Sequence, residues 1–255
     1  MSEGKFICTS CKQCRASSDK DYLFRKGIMS HVGRRYDLQR NGHPLRIVVV
    51  GQESGLPKRA EFTERVSLET RYRQTLQVSG LERRFYADDG FPGRNPHMRG
   101  TTTALRLLMG VGAGTDRESE FIEPANGRRF HLFDGFALVN RLLCSTGPKD
   151  TSTGRPTPTM AHNCERHFSA TLSILEPTIV VLQGGKVSAW ARSTLPLVKE
   201  RSPHLYESTL GGNRVVVCAF SHPSARGDQR WGERPDAPYV RDVVEPTIKN
   251  ALRLN

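Results

Sequence analysis

Arg46-Ile47-Val48-Val49-Val50-Gly51-Gln52-Glu53-Ser54-Gly55 is the stretch that decides the fold. An unbroken β-branched run from Ile47 to Val50 reads as a strand buried on both faces, the habit of a parallel sheet, and Gly51 to Gly55 reads as a tight turn at its carboxyl end. Three more segments fit the same pattern: Phe130 to Cys144, with a strand ending near Val139-Asn140; Thr178 to Leu182; and Arg214 to Phe220, which runs into Ser221-His222-Pro223-Ser224. Between them lie helical patterns. Apolar residues recur at helical intervals from Lys58 to Gln77, and a helix is predicted over Thr101–Met109 with Thr101 or Thr102 as its cap. Others are predicted over His162–Leu175, stopping before Pro177, and over Lys186–Arg192. The tail from Ala237 to Leu254 reads as helix, kinked or divided by Pro246. Strands alternating with helices predict an α/β fold: a three-layer α/β/α sandwich with a central, mainly parallel four-stranded sheet. We read 1–255 as a single domain, with 1–44 as a cysteine-bearing N-terminal segment packed on it and 56–95 as an insertion or diverged segment.

The chain has 255 residues, with 38 Lys and Arg against 26 Asp and Glu, for a net charge of +12. That excess suits a polyanionic partner, because cations that neutralise phosphates release condensed counterions. With 36% hydrophobic residues and a mean hydropathy of −0.50, the chain has no apolar run approaching the ~20 residues of a spanning helix, so no membrane is expected. Its first residues hold no apolar signal core, which predicts a reducing, cytoplasmic setting. There, cysteines at short spacing point to metal rather than disulfides. Cys8, Cys11 and Cys14 form such a group, whereas Cys218, inside an apolar strand, reads as a core thiol.

A parallel sheet would bring the strand-end loops to one edge, gathering Gln52 and Glu53, Asn140, and His222 with Ser224. Singly these signals are weak: an isolated Asn in such a loop is as well read as a turn cap. As an ordered set, GQESG (51–55), LVN (138–140) and SHPS (221–224) resemble the uracil-DNA glycosylase superfamily, with its water-activating, base-reading and His-Pro-Ser motifs. The iron–sulfur branch, the family-four type, is the nearest in pattern. It pairs an N-terminal CxxC with a cysteine just after the Asn motif and another opening the next helix, matched here by Cys11, Cys14, Cys144 and Cys164. The resemblance runs from about residue 8 to 228.

The resemblance implies a DNA glycosylase. In that reading Glu53 orients or deprotonates the attacking water, with Gln52 as the alternative or as a backbone contributor, and His222 donates to the pyrimidine O2 as it gains charge. Asn140 reads the edge of a base flipped from the stack. Ser224 holds a phosphate, and Arg226 or Trp231 wedges into the space the nucleotide leaves. The cysteines hold a 4Fe-4S cluster in a structural role, with zinc as the second choice because both accept four thiolates. Cys8-x-x-Cys11 is an alternative pair. DNA is the expected partner of a monomer, and no protein partner is evident.

The sequence departs from the family at several points. Lys58 stands where the family carries a second acid, and it is not expected to act as a Schiff-base former. Pro96-His97 replaces a Pro-Phe pair whose ring stacks on the base, with Phe91 as a nearby substitute. Gly55 stands where some relatives use Tyr to exclude groups on pyrimidine C5. These changes suit a roomier pocket, and predict a bulky C5-modified pyrimidine such as glucosylated hydroxymethylcytosine of phage DNA, excised in antiviral defence. Excision of uracil in DNA repair is the competing expectation. A non-catalytic DNA-binding or sensing module is the third, motivated by the altered water-activating motif.

Overall fold

The computed structural model describes residues 8–25, 29–52, 69, 71–72, 75, 95–115, 120–123, 129–148 and 154–255. Seven strands form its main sheet: β1 (His31–Val32), β2 (Ile47–Gly51), β3 (Phe136–Asn140), β4 (Ile179–Gln183), β5 (Lys199–Ser202), β6 (Leu205–Leu210) and β7 (Asn213–Phe220). Their spatial order is β5-β6-β7-β4-β2-β3-β1. The four strands expected from sequence are neighbours, β7-β4-β2-β3, and all run parallel. The expected four-stranded sheet is therefore too small. Antiparallel β6 and β5 extend it beyond β7, and antiparallel β1 caps β3 at the opposite edge.

Alternation along the strands sends side chains to two apolar clusters. Ile47, Val49, Phe136, Leu138, Ile179, Val181, Val216 and Cys218 pack on one face beneath α2 (Pro96–Leu108) and the C-terminal α5 (Glu245–Leu254). Val48, Val50, Ala137, Val139, Val180, Leu182, Val215 and Val217 pack on the other, against α3 (Pro158–Leu175) and the short α4 (Gly185–Ala191). The fold is mixed α/β, with helices on both faces of a large mixed sheet. Among the described residues no helix is long and apolar enough to cross a membrane.

Two helix starts differ from expectation, and one matters for the site. In α2 the Asn95 side chain accepts from the Met98 N–H at 3.0 Å and Pro96 occupies the first turn, an efficient N-terminus. Thr101 and Thr102 are therefore interior residues, and their hydroxyls donate back to the His97 and Met98 carbonyls at 3.0 Å each. This earlier start brings His97 into the first turn. Likewise α3 begins at Pro158, capped by Thr157, ahead of the predicted His162. Pro246 does not break the tail: it lies in the first turn of α5, which continues directly from a π-helical turn at Val240–Val244 with helical backbone at Val244 and Glu245.

A separate element, α1 (Cys11–Ala16), carries two of the cysteines. It is followed by a strand, Tyr22–Arg25, that pairs antiparallel with Ser145–Pro148. The N-terminal segment is thus tied to the chain just after β3.

Candidate active site and cysteine group

The carboxyl ends of β2 and β3 lie side by side, with Gly51 directly paired to Asn140. Backbone bonds hold them there, since the Arg141 N–H donates to Gly51 O and the Leu142 N–H to Gln52 O, both at 2.8 Å. A Cβ on Gly51 would stand 3.1 Å from His97 Nε2 and 3.2 Å from Asn140 Oδ1. Glycine lets both side chains close over this strand end without being pushed back by a few tenths of an ångström. His97 in turn faces His222, with ring centroids 5.7 Å apart. Residues from β2, β3, α2 and the loop after β7 therefore meet at one place.

The 221–224 motif is clamped. The Trp231 indole N–H donates to Ser221 O at 2.9 Å, the Gly232 N–H to Pro223 O at 2.8 Å, and the Ser221 N–H to the Tyr239 hydroxyl at 3.1 Å. Pro223 lies so close to α2 that a Cβ on Gly100 would be 2.7 Å from its ring. His222 is then oriented by its own loop: the Ser224 N–H donates to His222 Nδ1 at 3.2 Å, and the Ser224 hydroxyl lies 2.7 Å from the same atom. A backbone N–H can only donate, so Nδ1 is an acceptor and the neutral ring carries its proton on Nε2. Burial holds the His222 pKa below its usual 6.5. Burial, followed by the nearby His222 and Arg71, takes His97 down to about 3. Both imidazoles are therefore neutral near pH 7.

Several expected residues are placed differently. Trp231 is fully buried, packed edge-on against Phe220 at 5.7 Å, so it is a core residue and not a wedge for DNA. Its large apolar area and its indole N–H are both satisfied inside the fold. Arg226 is exposed and makes no ion pair among the described residues. Ser224 is exposed, and its N–H is committed to His222. Gln52 sits at the mouth of the site, half-buried. Glu53, Gly55, Lys58 and Phe91 lie outside the described residues.

Sequence reasoning passed over Gln183. It ends β4 and is fully buried, and its Nε2 donates to Thr101 Oγ1 at 3.2 Å beneath the first turns of α2. Its Oε1 is buried with no partner among the described residues. The visible signal was a polar amide closing an otherwise apolar strand.

The second group of interest is sulfur. Burial and then the nearby Cys11, Cys164, Cys14 and Cys8 all push the Cys144 thiol up, so five cysteines converge where α1 meets α3. Cys14, Cys144 and Cys164 are buried, and all are free thiols. Arg166 reaches from α3 to the Thr9 and Ser10 hydroxyls at 2.9 and 3.2 Å, and Asn163 Nδ2 to Cys14 Sγ at 3.5 Å. Cys8 Sγ lies 3.7 Å from His167 Nε2. Cys218 stands apart in β7 with its thiol pushed up to about 12 by burial, the core thiol that was expected. Among the described residues no three His, Cys, Asp or Glu side chains are disposed to hold one metal ion.

Arg141 links the two regions. It follows Asn140, is 3% exposed, and its Nη1 donates to Ala161 O at 3.4 Å while its Nε finds no partner among the described residues. Burial lowers its pKa, and Glu165 and Cys164 are the nearby groups that oppose this. Its guanidinium lies over the Phe168 ring, 5.3 Å from the centroid, with Glu165 the nearer-acting negative group and Cys164 the next.

Comparison with protein-family models finds no match, and no curated protein matches the chain.

Proposed function

We propose that the protein is a DNA glycosylase of the uracil-DNA glycosylase type, built on a three-layer α/β/α form of that fold, which flips a pyrimidine nucleotide and hydrolyses its N-glycosidic bond. The observation that carries this reading is His222, a neutral imidazole whose Nδ1 is held by Ser224 so that its proton is on Nε2, and whose ring lies 5.7 Å from that of His97, the residue that closes over Gly51 beside Asn140. Glycosidic cleavage builds negative charge on the departing pyrimidine O2 and positive charge on the sugar. A preset donor aimed at the first is the largest electrostatic aid a site can offer. In the reaction the C1′–N1 bond breaks with its electron pair going to the base, while a water oxygen bonds to C1′ and gives its proton to Glu53. Asn140 reads the base edge and His97 offers its ring to the base face. The products are an abasic site and a free base.

The base is a bulky C5-modified pyrimidine in the reading we favour, with uracil as the alternative. The roomier pocket implied by Gly55, and the loss of the second acid at Lys58, support the modified base. Cytosine derivatives keep O2, so the role of His222 is unchanged. Cys11, Cys14, Cys144 and Cys164 would hold a 4Fe-4S cluster, which supplies structural cross-linking of the N-terminal segment and no step of the reaction. The free state of these thiols and their gathering around Cys144 support that donor set. A cluster bound by four thiolates would also bring negative charge to the under-paired Arg141.

Incubating the purified protein with matched oligonucleotides carrying uracil or glucosylated hydroxymethylcytosine, then treating with alkali, tests the proposal. Strand scission at the modified base is expected. Scission at uracil alone overturns the modified-base reading. DNA binding with scission at neither base, by wild type and Glu53→Ala alike, overturns the enzyme and leaves a non-catalytic DNA-binding module.

A further inference from the structure

We infer that Gln183 is a specificity-determining residue that accepts a hydrogen bond from an exocyclic amino group, so that the site prefers a 4-aminopyrimidine to a 4-oxopyrimidine. The inference rests on the glycosylase reading and names the substrate class within it.

The orientation of the Gln183 amide follows from its neighbours. Thr101 Oγ has one proton, and it is spent on the His97 carbonyl at 3.0 Å. That hydroxyl can only accept from Gln183, so the group facing it at 3.2 Å is the NH2 and the free atom is the carbonyl oxygen. Oε1 is thus a fixed acceptor, buried without a donor among the described residues. Leaving such a group unsatisfied is costly, and a native protein that does so has a use for it or a donor to supply.

Its position says which donor. Leu182 pairs with Val50 and Gly51 pairs with Asn140, so Gln183, Gly51 and Asn140 form one row across the carboxyl ends of three adjacent strands. By alternation all three face α2, and the Thr101 contact agrees. The two amides are two strand spacings apart, about 9–10 Å at the backbone, with a glycine between them and His97 above it. An amino group at pyrimidine C4 has two N–H donors, one for Asn140 and one for Gln183. The carbonyl of uracil at the same position has none and would oppose the Gln183 oxygen.

The test uses oligonucleotides carrying 2′-fluoroarabino 5-hydroxymethylcytosine or 2′-fluoroarabino 5-hydroxymethyluracil, in which fluorine disfavours the positively charged sugar and so blocks cleavage. Wild-type protein is expected to bind the 4-amino base about tenfold more tightly than the 4-oxo base, the value of one net hydrogen bond. Gln183→Leu is expected to bring that ratio to about one. Gln183→Met serves as the second variant should the branched side chain fail to fold. A wild-type ratio near one, or a variant in which both affinities fall together with the ratio kept, overturns the inference. Discrimination in binding without cleavage of the unfluorinated 4-amino oligonucleotide overturns the glycosylase reading while the Gln183 assignment stands. Cleavage without discrimination does the reverse.

Discussion

The Ser224 backbone N–H donates to His222 Nδ1 at 3.2 Å, and this one contact decides which proton the imidazole can offer. Nδ1 being the acceptor, the proton is on Nε2, and burial keeps the ring's pKa below 6.5, so in the proposed glycosylase the form that donates to the base is the neutral one. Protonation, held below the ordinary histidine value by burial, would set a new N–H against that of Ser224. The acid limb of the pH–rate profile is therefore expected to lie below the ordinary histidine value of 6.5. Replacing His222 by Ala should cost roughly 10²–10³ in kcat with a smaller change in KM, the usual effect of losing a donor to developing charge. An acid limb centred at or above 6.5 would contradict the assigned tautomer and environment.

Gly51 is held to its size by His97 and Asn140. In Gly51→Ala the new methyl would sit 3.1 and 3.2 Å from their polar atoms, closer than ordinary contact, so both side chains must yield by a few tenths of an ångström. The fold should survive, with Tm within a few degrees of wild type. The site should not, and a drop of about 10–100-fold in kcat/KM is expected from misplaced reacting groups. Steady-state kinetics beside a thermal melt would separate the two effects.

What was legible in the sequence follows the physics of burial. Ile47–Val50, Thr178–Leu182 and Arg214–Phe220 are apolar on both faces because both faces are covered, so their strands were readable without any partner. Strands β1 and β5 were not: one has two residues, and the other reads Lys-Glu-Arg-Ser at an exposed edge. Their pairing is set by β3 and β6, not by their own composition. The start of α2 was misplaced because Thr101 and Thr102 look like caps, whereas Asn95 with Pro96 is the actual one. Within the site, residues in recognisable motifs were legible, and Gln183 was not, since its meaning lies in a contact with Thr101 across the fold.

His31 should make stability fall with acid. Its Nε2 donates to Phe133 O at 2.7 Å, its Nδ1 is buried without a partner among the described residues, and burial lowers its pKa from 6.5 to about 3. The unfolded chain binds this proton more readily, so the contribution is fully present above pH 6.5 and is lost as pH falls toward 3. Between pH 6.5 and 4.5 one such group removes about 2–3 kcal/mol. Urea unfolding of His31→Gln should show a slope against pH smaller by one proton. An unchanged slope would mean that His31 does not titrate on unfolding.

Trp231 and Arg226 should separate stability from DNA affinity. Trp231→Ala empties a fully buried site against Phe220 and is expected to cost about 3–5 kcal/mol of stability. Arg226→Ala should leave Tm unchanged, weaken DNA binding across all sequences, and reduce the slope of log K against log salt by about one. If Trp231→Ala instead melted like wild type and lost only DNA affinity, the indole would have to leave its pocket on binding.

The cysteines divide by what surrounds them. Cys14, Cys144 and Cys164 are buried beside one another, and Cys11 shares α1 with Cys14, while Cys8 is half-exposed and its sulfur faces the His167 ring. If Cys11, Cys14, Cys144 and Cys164 are the ligands, Ser at any one of them should abolish the visible absorbance and the bound iron and sulfide. It should also lower Tm, because the strand Tyr22–Arg25 and the loop leading to α3 lose their common tether. Cys8→Ser and Cys218→Ser should keep iron and sulfide at the wild-type amount. Loss of iron in Cys8→Ser with retention in Cys14→Ser would move the ligand pair to Cys8 and Cys11. Zinc in place of iron, found by metal analysis of anaerobically purified protein, would replace the cluster by a single ion held by the same thiolates.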